Sequence, residues 1–188
     1  SHDLGTSSIS ELLDAARGLG YEYIGLTEHN PSVTGHSKEQ VYELIKMKTN
    51  IIHTHNQTYE KNSENYPYIF NGLEIDIRPD GSRALPDECL DLLDYACASV
   101  HTSFNLERQT MTDRVIAGLD HPKVRFFAHP TARLLLEREG IELDWDRIFD
   151  FCLKQNKWLE INAWPNRLDL PDNLVREAIR LGVKIVVN

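Results

Sequence analysis

Short apolar runs alternate along this chain with segments whose apolar residues recur at helical spacing. The apolar runs are rich in β-branched and aromatic residues and predict six strands, at Tyr23–Thr27, Tyr68–Leu73, Tyr95–Val100, Val124–Ala128, Trp158–Asn162 and Val183–Val187. The helical spacing predicts helices over Ser10–Arg17, Ser37 to about Asn56, Asp87–Leu93, Thr112–Leu119, Trp145–Gln155 and Asp172–Leu181. A polar, turn-rich connection is expected at 57–67. This alternation predicts an α/β fold with a parallel sheet and helical crossovers.

Four of the predicted strands lead directly into residue types that bind metals. In chain order these residues are His29, Glu74, His101 and His129. Because the carboxyl ends of parallel barrel strands meet at one face, we expect three imidazoles and one carboxylate to converge there. Such ligands suit zinc, manganese or iron. The competing interpretation is a set of hydrogen-bonded strand-end residues in an inert barrel.

The remaining histidines are weaker candidates for metal binding. His53 and His55 are two residues apart, a spacing that shares one face only on a strand. They follow a helical pattern, and on a helix the two side chains diverge by about 200°. We expect His36 and His121, which lie in predicted loops, to be exposed to solvent.

Composition narrows the classes of function. The 188 residues are 41% hydrophobic and 26% charged, as in a globular domain, and the net charge of −9 gives no bulk attraction to nucleic acid. No apolar stretch approaches the length of a membrane span. Cys89, Cys97 and Cys152 form no paired motif, which argues against a disulfide framework and favours a reducing cytoplasm. Cys97 lies in an apolar strand and is expected to be a buried thiol.

The residues around the four candidate ligands resemble the polymerase and histidinol phosphatase (PHP) domain family. The segments that carry this resemblance are Thr27–Asn30, Gly72–Ile77, Ala98–His101 and Ala128–Thr131. Longer runs resemble the PHP domain of bacterial family X DNA polymerases in particular: Arg78–Gly81 with Leu85–Glu88, His101–Asn105, and Glu160–Leu170, which is similar to the family run EINAxPxRLDLPD. The resemblance extends over essentially the whole chain, as one partial PHP domain at 1–188.

The resemblance implies a distorted (β/α)7 TIM-like barrel, of which we expect this sequence to lack the first strand and the C-terminal end. It implies a site at the C-terminal face for up to three ions of zinc, manganese or iron. The four strand-end residues would be the catalytic metal ligands, and Glu74 would bridge neighbouring ions. Asp3 is a further candidate ligand, with His2 as its rival because the alignment slips by one residue there.

The implied activity is metal-dependent phosphoester hydrolysis, most specifically the 3′-5′ exonuclease of a family X polymerase-like PHP domain. The substrate would be a single-stranded DNA end, and a polymerase would be fused to or associated with the chain. Arg133 and Arg167 are placed to bind phosphate, and Asn162 to orient a ligand or substrate; surface or packing roles compete for each.

Two alternatives remain open at the level of the sequence. A stand-alone phosphatase would act on histidinol phosphate or a nucleotide, which the negative net charge slightly favours. A non-catalytic PHP module would support a polymerase or another protein.

Overall fold

The structure is a computed structural model that describes residues 7–62 and 67–188, with the side chains of 59–62 outside the description. Six helices and seven strands alternate along the described residues, except that β2 and β3 follow each other directly: α1 Ile9–Gly18, β1 Tyr23–Gly25, α2 Lys38–Asn62, β2 Tyr68–Phe70, β3 Glu74–Asp76, α3 Asp87–Leu90, β4 Ala96–Ser99, α4 Arg108–Leu119, β5 Val124–Phe127, α5 Trp145–Gln155, β6 Trp158–Ile161, α6 Asp172–Leu181 and β7 Lys184–Val187. The α/β class with parallel sheets is therefore confirmed.

The chain divides into two compact units. The first unit contains the described residues up to Leu73 together with Leu85–Ala96, and the second contains Glu74–Ala84 together with Cys97–Asn188. None of the described helices combines the length and the hydropathy that crossing a membrane requires. The three cysteines are free and buried, as predicted for Cys97.

In the first unit, β1 and β2 pair in parallel, with Tyr23 opposite Tyr68. Buried apolar side chains from α1, α2 and both strand regions pack into one core cluster of Leu13, Leu26, Ile52 and Ile69. Helix α1 begins with a capping box, in which Ser8 and Glu11 satisfy each other's backbone N–H groups.

Helix α2 continues to Asn62, so the predicted end near Asn56 and the polar connection at 57–67 are wrong in part. Residues 38–62 contain no glycine or proline that would stop a helix. The Thr54 and Thr58 hydroxyls also donate to carbonyls four residues earlier. These bonds satisfy polar side chains inside the helix, so polarity alone does not mark its end.

The predicted strand Tyr68–Leu73 is also wrong in part, because β2 ends at Phe70 and Glu74 begins β3 in another sheet. The Asn71 N–H donates to a carboxylate oxygen of Asp94, at 2.7 Å. A β-carbon at Gly72 would lie 2.4 Å from Cζ of Tyr95. The chain therefore leaves the first ladder through a position where only glycine fits.

The five-stranded sheet of the second unit has the sequential order β3-β4-β5-β6-β7. The pairs β3 with β4, β5 with β6, and β6 with β7 are parallel. The fully buried side chains Ile75, Phe127, Ile148 and Leu159 lie in its core. Sequential order is what a (β/α) barrel requires, and closure into the predicted barrel stays a prediction.

A buried arginine on α4 fixes the loops that follow β3 and β4. The Arg114 guanidinium donates to the carbonyls of Arg78 and Thr102, both at 2.9 Å, and to that of Ile77. Helix α4 itself begins at Arg108 rather than at the predicted Thr112.

Replacing Asn56 by alanine is expected to lower the free energy of unfolding by about 2 kcal/mol or more. The Asn56 side chain is buried, donates to the Ile69 carbonyl at 2.8 Å and accepts from the Ile69 N–H at 3.0 Å. Truncation would leave both backbone groups of Ile69 buried without these bonds. Urea denaturation measures the difference.

The matched control is Asn50→Ala, an exposed asparagine on the same helix. We expect it to leave stability unchanged within a few tenths of a kcal/mol. Equal stability of the two variants would contradict the structural role of Asn56.

Candidate metal centre

Strand β3 presents two carboxylates on one face. Glu74 and Asp76 are two residues apart and share a side of the strand, whereas Ile75 between them points into the core and is fully buried. Asp76 lies opposite Ser99 of β4, and Ser99 precedes His101 by two residues. The parallel register therefore brings both acids to the end of β4, where His101 follows.

The two histidines of the second unit converge on one oxygen of Glu74. Glu74 Oε1 lies 2.8 Å from His129 Nε2 and 3.4 Å from His101 Nε2. The two imidazole ring centres are 5.1 Å apart. One ligand atom from each of these three residues lies within 4.8 Å of the others. These three side chains could bind one cation together.

Each ring nitrogen of His101 faces a carboxylate. Nδ1 lies 2.5 Å from Asp76 Oδ1, on the side opposite Glu74. Pairing of the far ring nitrogen with a carboxylate is the arrangement that orients histidine ligands in metal sites. Asp76 therefore fixes the ring so that Nε2 faces Glu74.

The backbone at His129 is held in an unusual conformation. Its φ of 31° lies in the left-handed region, which costs a residue with a β-carbon of order 1–3 kcal/mol. The His129 N–H donates to Oε2 of buried Glu160 at 2.5 Å, and Asn188 Nδ2 donates to the other oxygen at 3.0 Å. The Thr131 N–H donates to buried Asp169 at 3.0 Å. Two buried carboxylates thus hold the loop that carries this histidine.

The charges of the cluster are strongly coupled. Burial alone would raise the pKa of Glu74, but hydrogen bonds from His101 and His129 outweigh it and hold this pKa well below its usual range. Burial alone would lower the pKa of His101, but its hydrogen bonds to Asp76 and Glu74 raise the pKa to about 9. These shifts favour an ionised Glu74 beside a protonated His101. Metal binding here would release a proton.

The donor set fits a divalent transition metal. Two imidazole nitrogens and one carboxylate oxygen suit zinc, manganese or iron. When His129 Nε2 donates to Glu74, its Nδ1 is left buried without a hydrogen-bond partner among the described residues. The nitrogen that faces Glu74 is Nε2, and in the tautomer that carries its proton on Nδ1 its lone pair could bind a metal ion.

The other predicted metal ligands, His29 and Asp3, precede Leu73 in the sequence and are not residues of the second unit. His29 follows β1 in the first unit and is exposed, and its place in the ligand set stays a prediction. Asp3 and its rival His2 lie outside the described residues. His53 and His55 lie on helix α2 and contact different partners, Gln57 and Pro67, as expected for side chains that diverge.

The predicted substrate residues lie in the loops after β5 and β6. Arg133 donates from Nε to the Arg167 carbonyl at 2.9 Å and from Nη2 to the Leu168 carbonyl. Asn162 Oδ1 accepts from the Trp164 N–H at 3.2 Å. Nη1 of Arg167 is buried and has no hydrogen-bond partner among the residues described. Arg133 and Asn162 thus support the loop backbone, and substrate roles for all three stay predictions.

Sequence reasoning missed the carboxylates that orient the histidines. Asp76 shares a strand face with Glu74, so its spacing of two residues from this predicted ligand could have identified it in the sequence. Glu160 is an acid inside the apolar strand β6, where a buried charge needs partners. Asp169 carried no such signal, because its contact with Thr131 spans 38 residues.

A cavity of about 580 Å³ borders the loop that follows His129. Arg133, Arg138 and Pro171 are among the residues in its wall. The Arg138 guanidinium lies 4.0 Å from the centre of the Phe104 ring and donates to the Ala132 carbonyl. Arg138 therefore acts as a structural support of this loop.

Two curated proteins are similar to this chain. A Bacillus subtilis protein named DNA polymerase/3′-5′ exonuclease PolX is 34% identical over 184 residues, which is 98% of this chain and 31% of that protein. A Caldicellulosiruptor saccharolyticus protein named "Probable phosphatase" is 25% identical over 161 residues, which is 83% of this chain and 59% of that protein. The chain thus spans less than two thirds of either relative. No family model matches it.

Replacing Asp76 by asparagine is expected to weaken metal binding about 10- to 100-fold, because the amide cannot hold the His101 ring as the carboxylate does. Isothermal titration with Zn²⁺ and Mn²⁺ measures the affinity. The control is Asp150→Asn, an exposed acid on α5 paired with Lys154. Equal affinities of both variants for the metals would refute the role assigned to Asp76.

Proposed function

We propose that this chain is a PHP-type, metal-dependent phosphoesterase that hydrolyses the 3′ end of single-stranded DNA. The observation that carries the proposal is the convergence of His101 Nε2 and His129 Nε2 on Glu74 Oε1. The similarity to a protein named as a polymerase and 3′-5′ exonuclease supports the choice of DNA, together with the family X-like runs of sequence.

The proposal includes the finer architecture that the resemblance implies. The chain would form a single partial PHP domain with a distorted (β/α)7 barrel, and the sequential strand order of the second unit supports this. His29 and Asp3 would add ligands, so that up to three ions bind. Because the chain matches only 31% of the polymerase-named relative, a fused or associated polymerase is part of the same proposal.

Some residues of the chain would bind the metal ion, and others would orient its ligands or bind the substrate. A divalent ion in the site would supply Lewis-acid activation of water and of the phosphoryl oxygens. Glu74, His101 and His129 would hold that ion, with Asp76 fixing the His101 ring and Glu160 fixing the His129 backbone. The guanidinium of Arg167, a partly buried residue, would donate to a phosphate oxygen and offset its charge.

A second candidate is a phosphatase that acts on small molecules such as histidinol phosphate. The net charge of −9 and the relative named "Probable phosphatase" favour it. Rates on histidinol phosphate and on single-stranded DNA, measured with the same Mn²⁺-loaded protein, separate the two candidates. Less than one equivalent of bound transition metal would instead favour a non-catalytic module.

Replacing His101 by alanine is expected to lower kcat for release of nucleotides from single-stranded DNA at least about 100-fold, because a ligand of the metal is lost. A chelator should abolish the activity of the unchanged protein, and Mn²⁺ should restore it. The control is His53→Ala, an exposed histidine on α2. A rate in the His101 variant equal to that of the control would show that the assigned site is wrong.

A further inference from the structure

Trp164 is a large aromatic side chain that the fold leaves in solvent. It lies in the loop after β6 with 68% of its surface exposed. The other tryptophans, Trp145 and Trp158, are partly buried and lie within secondary-structure elements. An exposed tryptophan offers a flat apolar face that can bind a ring of similar shape.

The backbone around Trp164 is fixed by hydrogen bonds. Its N–H donates to Asn162 Oδ1 at 3.2 Å, and its carbonyl accepts from the N–H groups of Arg167 and Leu168 at 2.8 and 3.0 Å. The turn therefore presents the ring from an ordered segment. Binding on a ring whose backbone is already ordered loses less conformational entropy than binding on a mobile loop.

The loop of Trp164 is joined to the loop of His129. The two loops follow the paired parallel strands β5 and β6, with Phe127 opposite Leu159. The Leu135 N–H donates to the Asn166 carbonyl at 2.7 Å, and Arg133 donates to the Arg167 carbonyl. The aromatic ring therefore lies on the loop next to the one that carries a candidate metal ligand.

An arginine with an unused donor follows Trp164 in the same turn. Arg167 lies three residues beyond Trp164, and its buried Nη1 has no hydrogen-bond partner within the described part of the chain. An aromatic face beside guanidinium groups is the combination that binds unpaired nucleotides, through base stacking and phosphate contacts. With a net charge of −9, the chain favours a short contact with one end over a long basic groove.

We infer that Trp164 and Arg167 form a subsite for the terminal nucleotide of the substrate, with the base stacked on the indole ring and the 5′ phosphate bound by Arg167. This inference rests on the proposed function and specifies its substrate. The subsite accepts an unpaired base of any identity, because every base has a face that can stack.

The test compares two phosphodiesters with the same leaving group. Thymidine 5′-(p-nitrophenyl phosphate) carries a base and methyl p-nitrophenyl phosphate does not. The ratio of kcat/KM for the two esters, measured with Mn²⁺-loaded protein, is expected to fall about tenfold or more in Trp164→Ala, since stacking on an aromatic side chain is lost. Trp164→Phe should keep most of the ratio.

The matched control is Leu136→Ala, which removes a fully exposed apolar side chain from the neighbouring loop. It should leave the ratio at its original value. An unchanged ratio in Trp164→Ala would overturn the subsite. So would a fall of the same size in Leu136→Ala.

A second measurement needs no turnover. Titration with thymidine 5′-monophosphate is expected to quench the tryptophan fluorescence of the unchanged protein, and to quench it far less in Trp164→Phe. If neither ester is hydrolysed, the proposed function fails while the fluorescence titration still decides the subsite. Equal quenching in both proteins would overturn the subsite alone.

Discussion

The candidate site depends on one shared carboxylate oxygen. Glu74 Oε1 lies within reach of two imidazole nitrogens, from His101 after β4 and from His129 after β5. Three neighbouring strands of one parallel sheet thus contribute to a single point. The arrangement needs strands that run in the same direction, because only then do successive strand ends meet at one edge. Burial raises the pKa of Glu74, but hydrogen bonds from both imidazoles outweigh it and hold this pKa well below its usual range.

Buried carboxylates near this oxygen fix the orientation of the side chains that the strands bring together. Asp76 sets the orientation of the His101 ring, and Glu160 with Asp169 holds the loop in which His129 adopts a positive φ. Strain of this kind persists only where surrounding contacts over-determine it, and it is common at functional sites. The loops after β5 and β6 are then joined by backbone hydrogen bonds. These hydrogen bonds connect the loop of His129 with the turn that carries Trp164.

The alternation of strands and helices could be predicted from the sequence because it depends on local periodicity. The same local signal indicated that His101 and His129 follow strands. It failed where distant residues decide the structure: the strand before Glu74 is interrupted because Tyr95 packs against Gly72, 23 residues earlier in the chain. The carbonyls that accept from the Arg133 guanidinium, 34 and 35 residues away in the chain, could not be predicted either. Contacts of that range leave no periodic trace in a sequence.

The central claim is that Glu74, His101 and His129 bind one metal ion together. The most direct measurement is a crystal structure of the protein grown with Mn²⁺ or Zn²⁺, with anomalous-difference maps recorded at the absorption edge of the metal. The account predicts a peak about 2.0–2.2 Å from the Nε2 atoms of both histidines and from Oε1 of Glu74. Absence of a peak at these atoms, with the metal bound elsewhere on the protein, would contradict it.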